Sequence, residues 1–110
     1  SPYLAKESYL CIGRTLAAAG LSILPYHENV PSFGDWGWFL CTRYDWGKGV
    51  LKQRIAALEF TVPTRFLTPE GFRRELVFGK GMDQSRYTEI NTLLFPVLLS
   101  YYNHESWLLE

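Results

Sequence analysis

The chain has 110 residues, a mass of 12.7 kDa and equal numbers of basic and acidic side chains, eleven of each. That length holds one domain with a modest core and excludes a second, and the balanced charge, with no basic stripe, argues against nucleic-acid binding, which needs long-range attraction. Hydrophobic residues make up 47% and aromatics 16%, enough apolar surface to offset chain entropy, so the chain is expected to fold rather than stay disordered.

In chain order, Ser1 and Pro2 read as a helix start, with a hydroxyl to accept from free amides and a proline where its missing N–H costs nothing. Leu4, Cys11, Ile12, Thr15, Leu16 and Ala19 recur at helical spacing, which predicts a helix over 2–19 that Gly20 ends. "LSILPY" at 21–26 predicts a short strand whose Pro25 marks an edge position or the strand's end. A turn-rich "HENVPSFGD" follows, and "WGWFLCTR" predicts a second strand, with Gly37 as a bulge or a close backbone approach. The connection holds no helix, so the two strands are expected to be antiparallel neighbours.

The second half changes character. A short helix is expected over 50–58, then an extended segment, then a helix start in which Thr68 caps, Pro69 takes the first position and Glu70 supplies the negative charge that suits the dipole. Gly79, Lys80 and Gly81 break the chain, and a last helix is expected over 94–102 with Pro96 confined to its first turn. No run approaches the roughly 18 to 20 apolar residues of a membrane span, and no signal-peptide pattern or internal repeat is present. The absence of an initial Met and the Ser1-Pro2 start read as the interior of a longer sequence.

Candidate chemistry is sparse. Cys11 and Cys41 lack CxxC spacing and a histidine cluster, which predicts two reduced, partly buried thiols, no metal site and a cytoplasmic setting. His27 and His104 stand outside any metal-ligand pattern, and each is expected to be a surface or hydrogen-bonded structural residue. Two Gly-Lys-Gly triplets, at 47–49 and 79–81, lack the spacing of a phosphate loop. Asp35 and Glu28 could face a cationic ligand across an aromatic wall, since aromatic faces attract ammonium groups; the other reading makes Phe33, Trp36, Trp38 and Phe39 core or interface packing, with Asp35 capping a turn.

The order Ser-Pro, helix, Ala-Gly-Leu, strand, Val-Pro-Ser-Phe-Gly, Trp-Gly and apolar strand over residues 1–43 resembles the C-terminal part of the spermidine synthase, or polyamine aminopropyltransferase, family. The likeness is closest to the bacterial branch with a membrane-spanning N-terminal region, and "RFLTPEGFRRELVFGKGM" and "EINTLLFPVLLSYYNHESW" are similar to that branch's closing segments. The resemblance implies an α/β fold, the end of a class I methyltransferase-like, Rossmann-like sheet. Residues 1–43 would supply a helix and the last antiparallel strand pair, and residues 44–110 a mainly helical C-terminal extension. It implies a parent that moves an aminopropyl group from decarboxylated S-adenosylmethionine to putrescine or another polyamine. That parent would be cytoplasmic and open to anchoring at the inner membrane, with no membrane contact by this segment.

In the family the acidic loop and the glycine-rich cofactor loop precede the position of Ser1. The resemblance therefore places no catalytic, cofactor-binding or metal residue in this chain, and a segment inactive alone is expected. What it does imply is one wall of the amine pocket. Pro31, Ser32 and Phe33 match a proline, small hydroxyl and tyrosine motif, with Phe33 offering an aromatic face without a phenolic hydroxyl, and Asp35 and Trp36 follow by adjacency. A sheet short of its first strands exposes an edge and an apolar face, which predicts a homo-oligomer. Two other readings stay open: a non-catalytic interaction or oligomerisation module, and a domain that binds a polyamine or nucleoside without transferring anything.

Overall fold

The computed structural model describes residues 1–45, 47 and 49–107. Helix α1 spans Lys6–Ala18, strands β1 Ser22–Val30 and β2 Gly34–Thr42 form a hairpin, and three helices follow: α2 Val50–Ala56, α3 Pro69–Glu75 and α4 Val97–Trp107. The class is α/β, with one two-stranded antiparallel sheet among the described residues.

The α1 start differs from the expected 2–19. The Ser1 Oγ does accept from the Tyr3 and Leu4 amides, at 3.2 and 3.0 Å, but this first turn stands apart because Ala5 leaves helical geometry (φ −132°, ψ 55°). Pro2 is wholly buried, and a Cβ added to Gly37 would lie 2.9 Å from its ring. Its contact with β2, rather than capping alone, sets where the chain enters α1. The exit follows expectation: Gly20 (φ 89°) takes the left-handed position, with Gly20 N donating to Ala17 O and Leu21 N to Leu16 O, a Schellman closure.

The hairpin register runs unbroken from Ser22 opposite Thr42 to Val30 opposite Gly34. The residues 27–30 are therefore strand, not turn, and only Pro31, Ser32 and Phe33 make the connection. Phe33 N donates to Val30 O at 2.9 Å, with Pro31 second and Ser32 third at φ 69°, the type II arrangement. Pro25 sits inside β1, which pairs only with β2 among the described residues, so its missing N–H has an unpaired side to face. Gly37 is a close approach, not a bulge: its register with His27 is regular, and a Cβ there would come within 2.5 Å of the Tyr9 ring.

Helix α1 covers one face of the hairpin. The Tyr9 ring stacks on Phe39 (centroids 4.5 Å apart), and its hydroxyl donates to Trp38 O at 2.9 Å. Tyr9, Cys11, Leu24 and Leu76 form the buried apolar core. Both cysteines are free, but Cys41 is exposed rather than partly buried.

Helix α3 begins as the sequence predicts: the Thr68 Oγ1 accepts from Gly71 N at 3.0 Å, Pro69 opens the helix and Glu70 lies in its first turn. Helix α4 starts later than expected because Leu93–Pro96 folds as a turn. Phe95 N donates to the Thr92 Oγ1, and the Asn91 Oδ1 accepts from Leu98 N, capping the helix from outside. Asn91 N in turn donates to the Thr15 Oγ1, fixing α4 against α1. Of the two Gly-Lys-Gly triplets, Lys48 lies outside the described residues, and the second forms a tight turn closed by Met82 N to Gly79 O.

Candidate functional site

The two faces of the hairpin tip carry different chemistry, because successive strand residues point to opposite sides. On one face five rings form a chain. Phe33 meets Trp36 edge-on at 6.3 Å, Trp36 lies 6.3 Å from Trp38, Trp38 stacks on Tyr26 at 5.5 Å, and Tyr26 meets Phe72 of α3 at 5.8 Å. Phe33 is 71% exposed and Trp36 47% exposed, so the end of this chain nearest the turn is open.

On the other face Asp35 turns to His27. The His27 Nδ1 lies 2.9 Å from the Asp35 Oδ1, and its Nε2 lies 2.6 Å from the Val77 carbonyl oxygen beyond α3. Both partners are acceptors, so both contacts are satisfied only when the ring carries both protons. Burial works against that charge, but the Asp35 hydrogen bond, the Val77 carbonyl and the charges of Asp35 and Glu28 outweigh it and hold the imidazole pKa above its usual value. The Phe78 ring, 4.5 Å away, closes this side.

Helix α3 lies along β1 and brings Glu75 beside Glu28. Burial and the neighbouring Glu28 carboxyl hold the Glu75 carboxyl above the usual carboxylate range. His27, Glu28, Asp35, Phe66, Arg74 and Glu75 line a cavity of about 550 Å³ at this edge. Three carboxyl groups against two cationic side chains make it a setting for a positively charged ligand, with Phe66, 87% exposed, as an apolar rim.

The four residues expected to bind substrate are therefore divided. Phe33 and Trp36 touch, Ser32 shapes the turn that projects them, and Asp35 sits on the opposite face as the partner of His27. His27 is hydrogen-bonded and half-buried, as expected of a structural histidine. Glu75 and Phe72 escaped sequence reasoning, since on α3 they read as part of an ordinary short helix. The signal for the aromatic chain was present in the alternation of Tyr26, Glu28, Trp36 and Trp38 along the two strands.

Comparison with known proteins finds relatives of one kind. The chain is 36% identical over 107 residues to polyamine aminopropyltransferase 2 of Ralstonia nicotianae, covering 97% of this chain and 19% of that protein. It is similar to the C-terminal part of polyamine aminopropyltransferases. It is also 33% identical over 110 residues to the polyamine aminopropyltransferase of Oceanobacillus iheyensis, and 50% identical over 42 residues to that of Shewanella oneidensis. The chain spans about a fifth of the length of the Ralstonia and Oceanobacillus proteins and matches the C-terminal part of their sequences, while the Shewanella match covers 38% of this chain and 7% of that protein. No family model and no solved structure matches it. No helix among the described residues is long and apolar enough to cross a membrane.

Proposed function

We propose that this chain is the C-terminal part of a polyamine aminopropyltransferase and forms one wall of its amine pocket, without catalysing transfer by itself. The observation that carries the reading is the match of nearly the whole chain to the ends of several such proteins. In this reading α1 and the hairpin close a methyltransferase-like sheet, and residues 44–110 form a helical extension.

The chemistry assigns the wall its work. Transfer from decarboxylated S-adenosylmethionine forms a C–N bond at the carbon beside the sulfonium and breaks the C–S bond. The sulfur keeps the electron pair, and the attacking nitrogen gives up a proton. A sulfonium leaves readily, so positioning the amine carries much of the barrier reduction. Phe33 and Trp36 offer aromatic faces to the methylene chain and to an ammonium end. The Glu28, Asp35 and Glu75 carboxyls provide negative charge on the α3 side, and His27 holds Asp35 and the residues after α3 in place. The carboxylate that takes the amine's proton and the groups that hold the sulfonium substrate are assigned to the rest of the parent protein.

The test is amine binding followed by tryptophan fluorescence in the full-length protein and in residues 1–110 alone. A putrescine-dependent change carried by Trp36 in the full-length protein, and lost in the isolated segment, supports the reading. An active full-length protein in which a Trp36→Phe variant gives the same fluorescence change as the parent contradicts it.

A further inference from the structure

Helix α4 carries apolar side chains around more of its surface than α1 covers. At about 3.6 residues per turn, Val97, Leu98, Leu99, Tyr101 and Tyr102 spread over more than half of its circumference, and a helix apolar on most sides belongs in an interior. α1 packs against one side, and Leu99 and Tyr102 stay 62% and 57% exposed. The turn before the helix adds Leu93, Leu94 and Phe95, which are 98%, 83% and 71% exposed. Their exposure is held in place: Thr92 N donates to Phe95 O at 3.2 Å, and Phe95 N to the Thr92 Oγ1 at 3.0 Å. Single exposed apolar residues need no explanation, but a run of neighbouring ones marks an interaction surface. Between α1 and α4 this surface sinks into a groove of about 420 Å³ whose walls include Ile12, Leu98, Leu99 and Tyr102, and none of the described residues lining it is charged.

We propose that this face takes the part of the parent protein that precedes Ser1, so that α4 becomes an interior helix of the whole chain. The inference rests on the reading of residues 1–110 as the C-terminal part of an aminopropyltransferase. This chain covers 19% of the Ralstonia protein and matches its C-terminal part, so in that reading about four-fifths of the parent lies ahead of Ser1. α4 runs antiparallel to α1. Asn91, ahead of α4, meets Thr15 near the end of α1, while Tyr101 and His104 share a cavity with Lys6 and Glu7 at its start. The preceding chain therefore joins beside the far end of α4, next to the groove. The uncharged lining selects the occupant further. A lipid surface recruits Lys and Arg to such a patch, whereas permanent packing favours apolar walls depleted of charge.

The test is maleimide labelling of the full-length protein carrying Leu94→Cys or Leu99→Cys, resolved peptide by peptide by mass spectrometry. Each site is expected to react at least about tenfold more slowly in the native protein than in urea, at every protein concentration. Labelling as fast as in urea overturns the proposal. So does protection that grows with protein concentration, as a second copy would give, or protection that needs added lipid vesicles. Leu99→Asp supplies a second measurement. An exposed helix position absorbs such a change with little effect, so a lowered melting temperature of the full-length variant supports the proposal and an unchanged one overturns it. Methylthioadenosine release by the same protein judges the amine-pocket reading separately: shielded cysteines in a protein that releases none sustain the docking and overturn that reading alone.

Discussion

The imidazole of His27 bridges Asp35 on the neighbouring strand, 2.9 Å away, and the Val77 carbonyl oxygen beyond α3, 2.6 Å away. One ring thus ties the hairpin to the segment that follows α3, and it does so with both nitrogens donating. Because the folded-state pKa lies above the unfolded value, the stabilisation is fully present below pH ~6.5 and is lost as pH rises through the folded pKa. Asp35→Asn is expected to lower the His27 pKa and to flatten the fall in stability on the alkaline side. Histidine NMR titration of both proteins checks this, and an unchanged His27 pKa in the variant contradicts it.

Glu75 carries the opposite sign. Its carboxyl is held above the usual range by burial and by Glu28, so ionising both groups destabilises the fold, and stability falls as pH rises above the ordinary glutamate range. Glu75→Gln is expected to raise the melting temperature at neutral pH while weakening amine binding in the full-length protein. Thermal melts and calorimetry with putrescine measure the two effects separately.

Gly37 has no room for a side chain. A Cβ would stand 2.5 Å from the Tyr9 ring and 2.9 Å from Pro2, both held by packing. Gly37→Ala is expected to cost about 1–3 kcal/mol of stability through overpacking. Tyr9→Phe keeps the ring stack on Phe39 but leaves the Trp38 carbonyl without its donor, at about 1 kcal/mol. Denaturant midpoints at constant slope give both values.

Phe33 is the residue through which the turn would meet substrate, and its 71% exposure means that its loss should spare the fold. Phe33→Ala is expected to leave the melting temperature unchanged and to raise the KM for the amine by about tenfold, ~1.4 kcal/mol. Phe33→Tyr restores the hydroxyl expected from the family motif and should be tolerated, since the ring edge is open to water.

Element order was legible from periodicity and turn chemistry: α1, the hairpin and the Thr68-Pro69 helix start all lie where those signals put them. The misjudged boundaries have causes beyond local sequence. Pro2 packs under Gly37 and shortens α1 from its start, while His27, Glu28 and Asn29 are polar, read as turn, and are strand because they pair in register with Gly37, Trp36 and Asp35 of β2. The turn residues 31–33 were legible as a motif, but not the division of Asp35 from Trp36, which depends on the exact register. Nor could the sequence show that the second acceptor of His27 lies fifty residues further along the chain.

The central claim is that the hairpin tip is a wall of an amine pocket. Its most direct measurement is methylthioadenosine release by the full-length protein supplied with decarboxylated S-adenosylmethionine and increasing putrescine, for the parent sequence and Phe33→Ala. The account predicts amine-dependent release, with a raised KM for putrescine and a nearly unchanged kcat in the variant. No release with any diamine or polyamine, or a variant whose KM matches that of the parent, contradicts it.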